Sequence, residues 1–339
     1  MELKKLYSTI HQKLDQLDFT KLYHGFKKYD FILYTSKEYC FCNEIYVHDA
    51  EFYGNTAIEW NGKIVAIWNV ETDFIEDLDV LAANLVHEMY HCYQLEQEEK
   101  RFPKDLLLLS IPLEEKLCQL RYQDSRLLVE GYFNPDIDVL RRICFIRNEM
   151  LKISSSIEEE LKSETIEGAA EYMGVLALKQ WSSSKYKKRM EKYCSILNSV
   201  DIQLNPRRRS YYSGCLFLHL LKELSFSFPL FSEVTIYASL PQTIKPKSFT
   251  FQRNDKLIDL ILEQEQNLQK MIEKPYDFVS FPSRIVGYDP MNMIYYKTYF
   301  ISKGFIRLDN GLETKTIQKP VILKLGTSFD LVLGYSFIK

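Results

Sequence analysis

Apolar residues recur at helical spacing at the start of the chain. Steps of three and four residues place them on one face of a helix, which predicts an amphipathic first helix that packs against the rest of the protein. The residues on that face are Leu3, Leu6, Tyr7, Ile10, Leu14 and Leu17.

Between about residues 30 and 70 the pattern changes to short apolar runs separated by polar residues, which is typical of β-strands. Asn61 and Gly62 join the last two runs, and both residues readily adopt the positive φ angles of a tight hairpin turn. We therefore expect a small, mostly antiparallel sheet. Its predicted strands cover 31–34, 44–47, 57–60 and 63–68.

Residues 76–225 carry a long helical pattern, which segments containing proline or serine interrupt. At 156–159 a Ser-x-x-Glu sequence resembles a capping box, and it predicts that a new helix starts there and runs through Glu167. A further helix is expected over 254–274. The remaining tail is rich in predicted strands, with a hairpin turn at 309–311.

These elements predict an α+β fold in three consecutive parts. The first part is the N-terminal helix with the small sheet over 1–75, the second is a helical lobe over 76–275, and the third is a C-terminal β-rich subdomain over 276–339. The 339 residues are enough for such subdomains, and 46% of them are hydrophobic, as in a globular protein.

The charge balance argues against two classes of partner for the chain as a whole. The 43 Lys and Arg residues nearly balance the 46 Asp and Glu residues, so the net charge of −3 attracts neither nucleic acid nor an anionic membrane. No segment approaches the ~20 apolar residues of a membrane span, and the first residues lack the apolar stretch of a signal peptide. We therefore expect a cytoplasmic protein with no membrane span and no nucleic-acid partner.

The cysteines predict reduced thiols and no disulfide framework. Seven is an odd number, and several of these residues have apolar neighbours, as thiols in a protein core do. Cys40 and Cys42 stand two positions apart, which lacks the C-x-x-C spacing of metal and redox sites. We expect no metal or redox role for this pair.

The sequence His-Glu-Met-Tyr-His at 87–91 is the strongest chemical signal in the chain. It lies in a helix-forming stretch, so the two imidazoles project from one helix face about one turn apart and can reach one zinc ion. Glu88 lies about 100° from His87 around the helix axis, where a carboxylate can act as a general base without binding the metal. Apolar neighbours favour a buried helix, because unpaired polar side chains are costly there. The alternative is two surface histidines beside a solvated glutamate.

A catalytic zinc site usually has three protein ligands, so one ligand must come from elsewhere. The H-x-x-G-x-x-H continuation found in metzincins is absent after His91. Segment 164–174 is the best source, because its glutamates lie in a helix-forming stretch with small residues that let two helices approach closely. The candidate ligands are Glu164, Glu167 and Glu171, with His48 beside Asp49 at a strand end as a further candidate.

These two segments resemble the gluzincin peptidases, the group of thermolysin and the leukotriene-hydrolase aminopeptidases. In that family the second helix that binds zinc carries the ligand glutamate in an E-G-x-A-like or E-x-x-x-D/E sequence. The Glu-Gly-Ala-Ala sequence at 167–170 matches the first of these patterns. The resemblance implies a zincin-like fold with one zinc ion per chain, bound by His87, His91 and Glu167. It also implies that Glu171 is the carboxylate that orients a ligand histidine.

The resemblance covers about residues 55–225, with three departures. A long segment separates the two zinc helices, so we expect a helical insertion over about 103–155. Ile166 stands where an asparagine often precedes the ligand glutamate, and the G-x-M-E-N motif that binds a substrate amine is missing. Aminopeptidase activity is therefore not implied.

Residues 207–218 resemble the S-Y-x-x-G segment of the same family, whose tyrosine hydroxyl faces the oxyanion. The match points to Tyr211, with Tyr212 as the second choice, and the alternative is a tyrosine that only packs. Arg209 ends a run of three arginines, which either binds a substrate carboxylate or forms a solvated loop. An antiparallel edge strand holds the extended substrate in this family, which predicts that role for 63–68 or a neighbouring strand.

Together these features predict a zinc-dependent peptidase that acts on a peptide or protein substrate. The zinc ion lowers the pKa of its water and polarises the scissile carbonyl, while Glu88 moves the proton to the leaving amine. Two alternatives stay open: an inactive zincin-fold interaction or regulatory protein, and hydrolysis of a non-peptide bond. Glu88 argues against the first, because a binding protein needs no base beside the metal. The choice between endopeptidase and exopeptidase and the oligomeric state stay open as well.

Overall fold

The protein is described by a computed structural model that covers residues 2–48, 52–251, 253–274 and 277–338. These residues form an α+β fold, as predicted. The α-helices are α1 Leu3–Asp15, α2 Leu78–Glu96, α3 Asp105–Leu109, α4 Glu115–Phe133, α5 Ile137–Ile153, α6 Ile157–Trp181, α7 Ser183–Asn198, α8 Pro206–Glu223 and α9 Asp255–Glu273. Within these covered ranges, every helix is too short or too polar to cross a membrane.

The strands form two sheets. Those of the first are β1 Phe31–Tyr34, β2 Glu38–Phe41, β3 Glu44–Val47, β4 Thr56–Trp60 and β5 Lys63–Asn69. Those of the second are β6 Val279–Tyr288, β7 Met293–Tyr296, β8 Tyr299–Ser302, β9 Ile306–Asp309, β10 Thr314–Ile317, β11 Val321–Leu325 and β12 Leu331–Phe337.

The chain divides into two compact units, which differs from the three consecutive parts predicted. Unit 1 comprises Met1–Phe102, Glu164–Ile196 and Tyr211–Leu240, and unit 2 comprises Pro103–Ser163, Leu197–Ser210 and Pro241–Lys339. The predicted helical lobe is therefore split, and the β-rich tail belongs to the same unit as the inserted helices. Apolar periodicity shows where a helix begins and ends, but it does not show which other helices it packs against.

Unit 1 is built on the five-stranded sheet, whose strand order is β3-β2-β1-β5-β4. All its pairings are antiparallel except that between β1 and β5, so the mostly antiparallel sheet is confirmed. The turn between β4 and β5 has φ angles of 50° at Asn61 and 73° at Gly62, as a tight hairpin requires. Helix α1 buries its predicted apolar face, and α2 packs on β4 and β5.

Unit 2 contains helices α3, α4 and α5 and the seven-stranded antiparallel sheet, whose order is β10-β9-β6-β12-β11-β8-β7. These three helices confirm that the segment from about 103 to 155 is helical, as predicted. Leu106 and Leu109 of α3 pack against the apolar core of this sheet. The predicted hairpin turn joins β9 to β10, with a φ angle of 83° at Gly311.

Candidate metal centre

Helix α2 carries the His-Glu-x-x-His sequence in its buried middle. Asp77 caps the helix, since its carboxylate accepts hydrogen bonds from the backbone N–H groups of Asp79 and Val80. His87 is 6% exposed and Glu88 is 7% exposed. His87 and Glu88 are therefore buried and His91 is partly buried, which contradicts the alternative of surface histidines beside a solvated glutamate.

Helix α6 approaches α2 through a glycine. A Cβ added to Gly174 would lie 2.8 Å from the carbonyl oxygen of Ala83 and 3.7 Å from the Cβ of His87. The expected close approach of two helices is therefore present, and Gly174 is the small residue that allows it. Gly168 contacts another helix, because its added Cβ would lie 2.5 Å from the Cα of Gly214 in α8.

Three donor atoms from α2 and α6 converge at one point of unit 1. The Nε2 atoms of His87 and His91 lie 3.1 Å apart. Oε2 of Glu167 lies 3.2 Å from Nε2 of His91 and 3.5 Å from Nε2 of His87. Donor atoms bound about 2.05 Å from a tetrahedral zinc ion are about 3.3 Å apart, so this triangle fits such an ion.

The other nitrogen of each imidazole has its own partner. Nδ1 of His87 donates to Oε2 of Glu171 over 2.9 Å, and Nδ1 of His91 donates to Oε1 of Gln94 over 2.7 Å. A proton on Nδ1 leaves the lone pair of a neutral imidazole on Nε2, where it faces the other two donor atoms. Such outer hydrogen bonds are typical of histidines that bind metals.

Electrostatic surroundings favour a cation at this point. Burial lowers the pKa of His87, but hydrogen bonds to Glu167 and Glu171 outweigh it and raise the pKa to about 10. A proton on His87 and a metal ion at its Nε2 have the same electrostatic effect, because either one places a positive charge beside the negative charges of the nearby carboxylates. The site therefore fits a divalent metal both by geometry and by charge.

Glu88 lies close to the two histidines of the motif. A carboxylate oxygen of Glu88 and one nitrogen from each of His87 and His91 all lie within 4.8 Å of one another. Burial raises the pKa of Glu88, although the neighbouring histidines lower it in part. A buried carboxylate with a raised pKa is a better proton acceptor, which suits a general base.

Two residues of helix α7 donate hydrogen bonds to Glu171. Its Oε1 accepts hydrogen bonds from Nη2 of Arg189, over 2.8 Å, and from the hydroxyl of Tyr193. Burial raises the pKa of Glu171, but the charge of Arg189 and the hydrogen bond from His87 bring it down to about 2. Glu171 is therefore a carboxylate that bridges α7 and the imidazole of His87.

The two candidate tyrosines have different neighbours. The ring of Tyr211 lies parallel to that of His87, with centroids 5.6 Å apart and planes 5° apart. The ring of Tyr212 packs on Tyr193, with centroids 5.0 Å apart. Tyr211 is thus the tyrosine that contacts a predicted metal ligand.

Arg209 is not available to a substrate. It is 1% exposed, and it forms ion pairs with Asp124 at 2.5 Å and Glu160 at 3.1 Å in unit 2. Its Nε donates to the hydroxyl of Ser125. We predicted that Arg209 either binds a substrate carboxylate or lies in a solvated loop. Both predictions are wrong, because the guanidinium of Arg209 is buried in ion pairs.

The strand predicted to hold a substrate, 63–68, is not at an edge of the sheet. Strand β5, which contains 63–68, is paired on both sides, with β1 and with β4. Its backbone groups are therefore used within the sheet. Among the described strands, β4 stands at the edge next to α2 and offers its outer side. The neighbouring-strand alternative thus becomes the candidate.

The remaining ligand candidates have other partners. Glu164 accepts a hydrogen bond from the Ser213 hydroxyl over 2.5 Å. Nδ1 of His48 lies 2.6 Å from the carbonyl oxygen of Thr35, beside the aromatic residues of the first sheet. Asp49 lies outside the described residues.

Three residues of the site escaped the sequence analysis. Gln94 is one helical turn beyond His91, and its Nε2 donates to the carbonyl oxygen of Ile166 in α6. Its spacing from His91 was a local signal that could have found it. Arg189 and Tyr193 are one turn apart on a helix rich in lysine, so nothing in their spacing connects them to Glu171.

Comparisons with protein-family models, with curated proteins and with solved structures each return no match to this chain. The resemblance to the gluzincins therefore stays a prediction, carried by the segments 87–91 and 164–174.

Proposed function

We propose that this protein is a zinc-dependent peptidase of the gluzincin type, with one zinc ion held by Nε2 of His87, Nε2 of His91 and a carboxylate oxygen of Glu167. The observation that carries the proposal is the triangle of these three atoms, with sides of 3.1, 3.2 and 3.5 Å. Two histidines and one glutamate are the ligand set of several catalytic zinc sites, which keep a fourth position open.

Glu88 supports zinc hydrolysis over another use of the same ligand set. Two histidines and one carboxylate also bind iron(II) in oxygenases. A buried carboxylate of raised pKa beside the three donor atoms gives hydrolysis the base that it needs. It would have no evident task in a protein that only binds a partner.

The chemistry divides between the metal and the residues around it. When bound, zinc polarises the scissile carbonyl and lowers the pKa of a coordinated water toward ~7. The carboxylate of Glu88 takes a proton from the attacking water and then delivers it to the nitrogen of the leaving amine. Gln94 and Glu171 keep the two imidazoles in the orientation and tautomer that direct Nε2 toward the metal.

Two further features supply substrate contacts. Tyr211 lies against His87, so its hydroxyl is the donor that we assign to the oxyanion of the tetrahedral intermediate. The outer side of β4 has backbone groups that can pair with an extended peptide, and α2 packs directly on this strand. A peptide held as an added strand is thus the substrate class that the site favours.

Metal content is the first test. The purified protein should carry about one zinc per chain, and His87→Ala or His91→Ala should lose it, because two remaining ligands hold zinc too weakly. Stoichiometric zinc in the variant that lacks both histidines would refute the proposed site, and stoichiometric iron in the wild type would favour the oxygenase alternative.

Peptide cleavage is the second test. Wild type and Glu88→Gln, both loaded with zinc, are compared on a broad peptide library by mass spectrometry. We expect the Gln variant to lose at least the ~10²–10⁴ of general acid–base catalysis. Glu191→Gln is the matched control, since Glu191 lies exposed on α7. If the wild type cleaves nothing that Glu88→Gln leaves intact, the interaction-protein alternative is the better one.

A further inference from the structure

Arg189 and Tyr193 of α7 both bind the same oxygen of Glu171. Nη2 of Arg189 donates to Oε1 over 2.8 Å, and the Tyr193 hydroxyl donates to the same atom. The other oxygen, Oε2, accepts the N–H of His87 over 2.9 Å. One oxygen of this carboxylate is thus anchored to α7, and the other is directed at the imidazole.

The anchoring groups also contact one another. Nε of Arg189 donates to the Tyr193 hydroxyl, and the guanidinium carbon lies 5.7 Å from the centroid of the Tyr193 ring. Tyr193 and Glu171 are buried, and only about one-seventh of the Arg189 side chain is exposed. Polar groups that are buried and mutually bonded have few alternative positions, so the pair holds Glu171 in one orientation.

A second set of contacts connects the same helix to His87. The ring of Tyr193 packs on Tyr212, with centroids 5.0 Å apart, and Tyr211 directly precedes Tyr212 in α8. The ring of Tyr211 lies parallel to that of His87, with centroids 5.6 Å apart. The imidazole therefore has Glu171 at its Nδ1 atom and the offset ring of Tyr211 as a neighbour.

We propose that Arg189 and Tyr193 are positioning residues, which anchor Oε1 of Glu171 so that Oε2 fixes the orientation and tautomer of the His87 imidazole for metal binding. The inference rests on the proposed metal centre. With Oε2 fixed as an acceptor, Nδ1 carries the proton and Nε2 keeps its lone pair toward the metal. Without the anchor, Glu171 rotates about its side-chain bonds and His87 loses this constraint.

The experiment measures the zinc dissociation constant of metal-free protein by competition with a chromophoric chelator. Arg189→Gln should weaken zinc binding ~10–100-fold, as losses of outer hydrogen bonds to metal ligands do. Tyr193→Phe, which keeps the ring, should weaken it less, and Arg189→Lys should recover part of the loss because a charged donor returns. Lys187→Gln is the control, since Lys187 is exposed on the same helix and pairs only weakly with Glu191.

Two added measurements separate positioning from simple stabilisation. The absorption spectrum of the cobalt(II)-substituted protein reports ligand geometry, and it should change in Arg189→Gln and stay unchanged in Lys187→Gln. The melting temperature of the metal-free proteins reports folding alone. A lower melting temperature in Arg189→Gln, with zinc affinity and cobalt spectrum equal to those of the control, would show that the pair only stabilises the fold and would overturn the proposal.

The outcomes also distinguish this inference from the proposed function. If the wild type binds no zinc, cobalt or other divalent metal, the metal centre and this inference fail together. If the wild type binds zinc tightly, the Arg189 variant binds it weakly, and neither cleaves any peptide, the positioning role is supported and the peptidase activity is refuted.

Discussion

Gly174 of α6 lies against Ala83 of α2 with no space for a side chain between them. A Cβ on the glycine would stand 2.8 Å from the Ala83 carbonyl oxygen, which is closer than real Cβ atoms approach backbone. His87 is one turn beyond Ala83 on the same helix. This contact therefore sets the separation between the helix that carries the two histidines and the helix that carries Glu167.

Gly174→Ala should push these two helices apart. Overpacking costs typically ~1–3 kcal/mol, while replacing a helix glycine by alanine stabilises by ~1 kcal/mol, so we expect a net loss of up to ~2 kcal/mol in unfolding free energy. Zinc affinity should fall as well, because the donor triangle widens. Urea denaturation and chelator competition measure the two effects. A variant that is more stable than the wild type and binds zinc equally well would contradict the role of this contact.

Glu167 and Glu171 should respond differently to removal, although they are one turn apart on α6. Glu167→Ala should abolish tight zinc binding, because Oε2 of Glu167 faces both Nε2 atoms. Glu171→Ala should weaken binding only ~10–100-fold, because it removes a hydrogen bond to His87 and no donor atom. Chelator competition on both variants tests this. Retained zinc in Glu167→Ala with loss in Glu171→Ala would move the third ligand by one turn.

The features that were predicted correctly depend on short stretches of sequence. Asn61 and Gly62 determine a hairpin turn by themselves, because few residue pairs accept two positive φ angles. The spacing of His87 and His91 places two imidazoles on one face wherever the helix packs. Local rules of this kind do not need the tertiary structure.

The features that were missed depend on which elements pack together. Arg209 follows two other arginines in a run that is typical of a loop. It lies instead in α8, where it forms ion pairs with residues of α4 and α6. The internal place of β5 follows from its pairing with β1, which the β4–β5 hairpin signal does not reveal. Partners that are far away in sequence determine both outcomes, and hydrophobic periodicity does not identify them.

Asp124 should make the stability of unit 2 sensitive to acid. Burial raises its pKa, but Arg147 and Arg209 outweigh this and hold the pKa below its ordinary value of 3.8. A carboxylate with a lowered pKa stabilises the fold above its unfolded pKa, and that contribution disappears as the pH falls through the folded pKa. Asp124→Asn should therefore lower the free energy of unfolding by ~3–5 kcal/mol at pH 7, because it leaves buried charges unpaired. The difference from the wild type should be smaller below pH ~4, because the wild type loses the contribution of the Asp124 carboxylate there as well.

Urea denaturation of wild type and Asp124→Asn between pH 7 and pH 3 measures this difference. The exposed Asp259 in α9 provides the control, and Asp259→Asn should stay within ~0.5 kcal/mol of the wild type throughout. An equal loss in the two variants at pH 7, or a gap that widens as the pH falls, would contradict the assignment.

Tyr211→Phe should separate catalysis from packing at the proposed metal centre. The phenylalanine ring keeps the parallel contact with His87, so zinc content and KM should stay close to those of the wild type. The missing hydroxyl should lower kcat by the ~10²–10³ of one oxyanion donor, because that hydrogen bond tightens only as charge develops on the oxygen.

Tyr212→Phe is the matched control, since its ring packs on Tyr193 and should keep doing so. A larger loss of kcat in Tyr212→Phe than in Tyr211→Phe would assign the oxyanion donor to Tyr212. Equal and small losses in both variants would mean that the two tyrosines only pack, and that the oxyanion donor lies elsewhere.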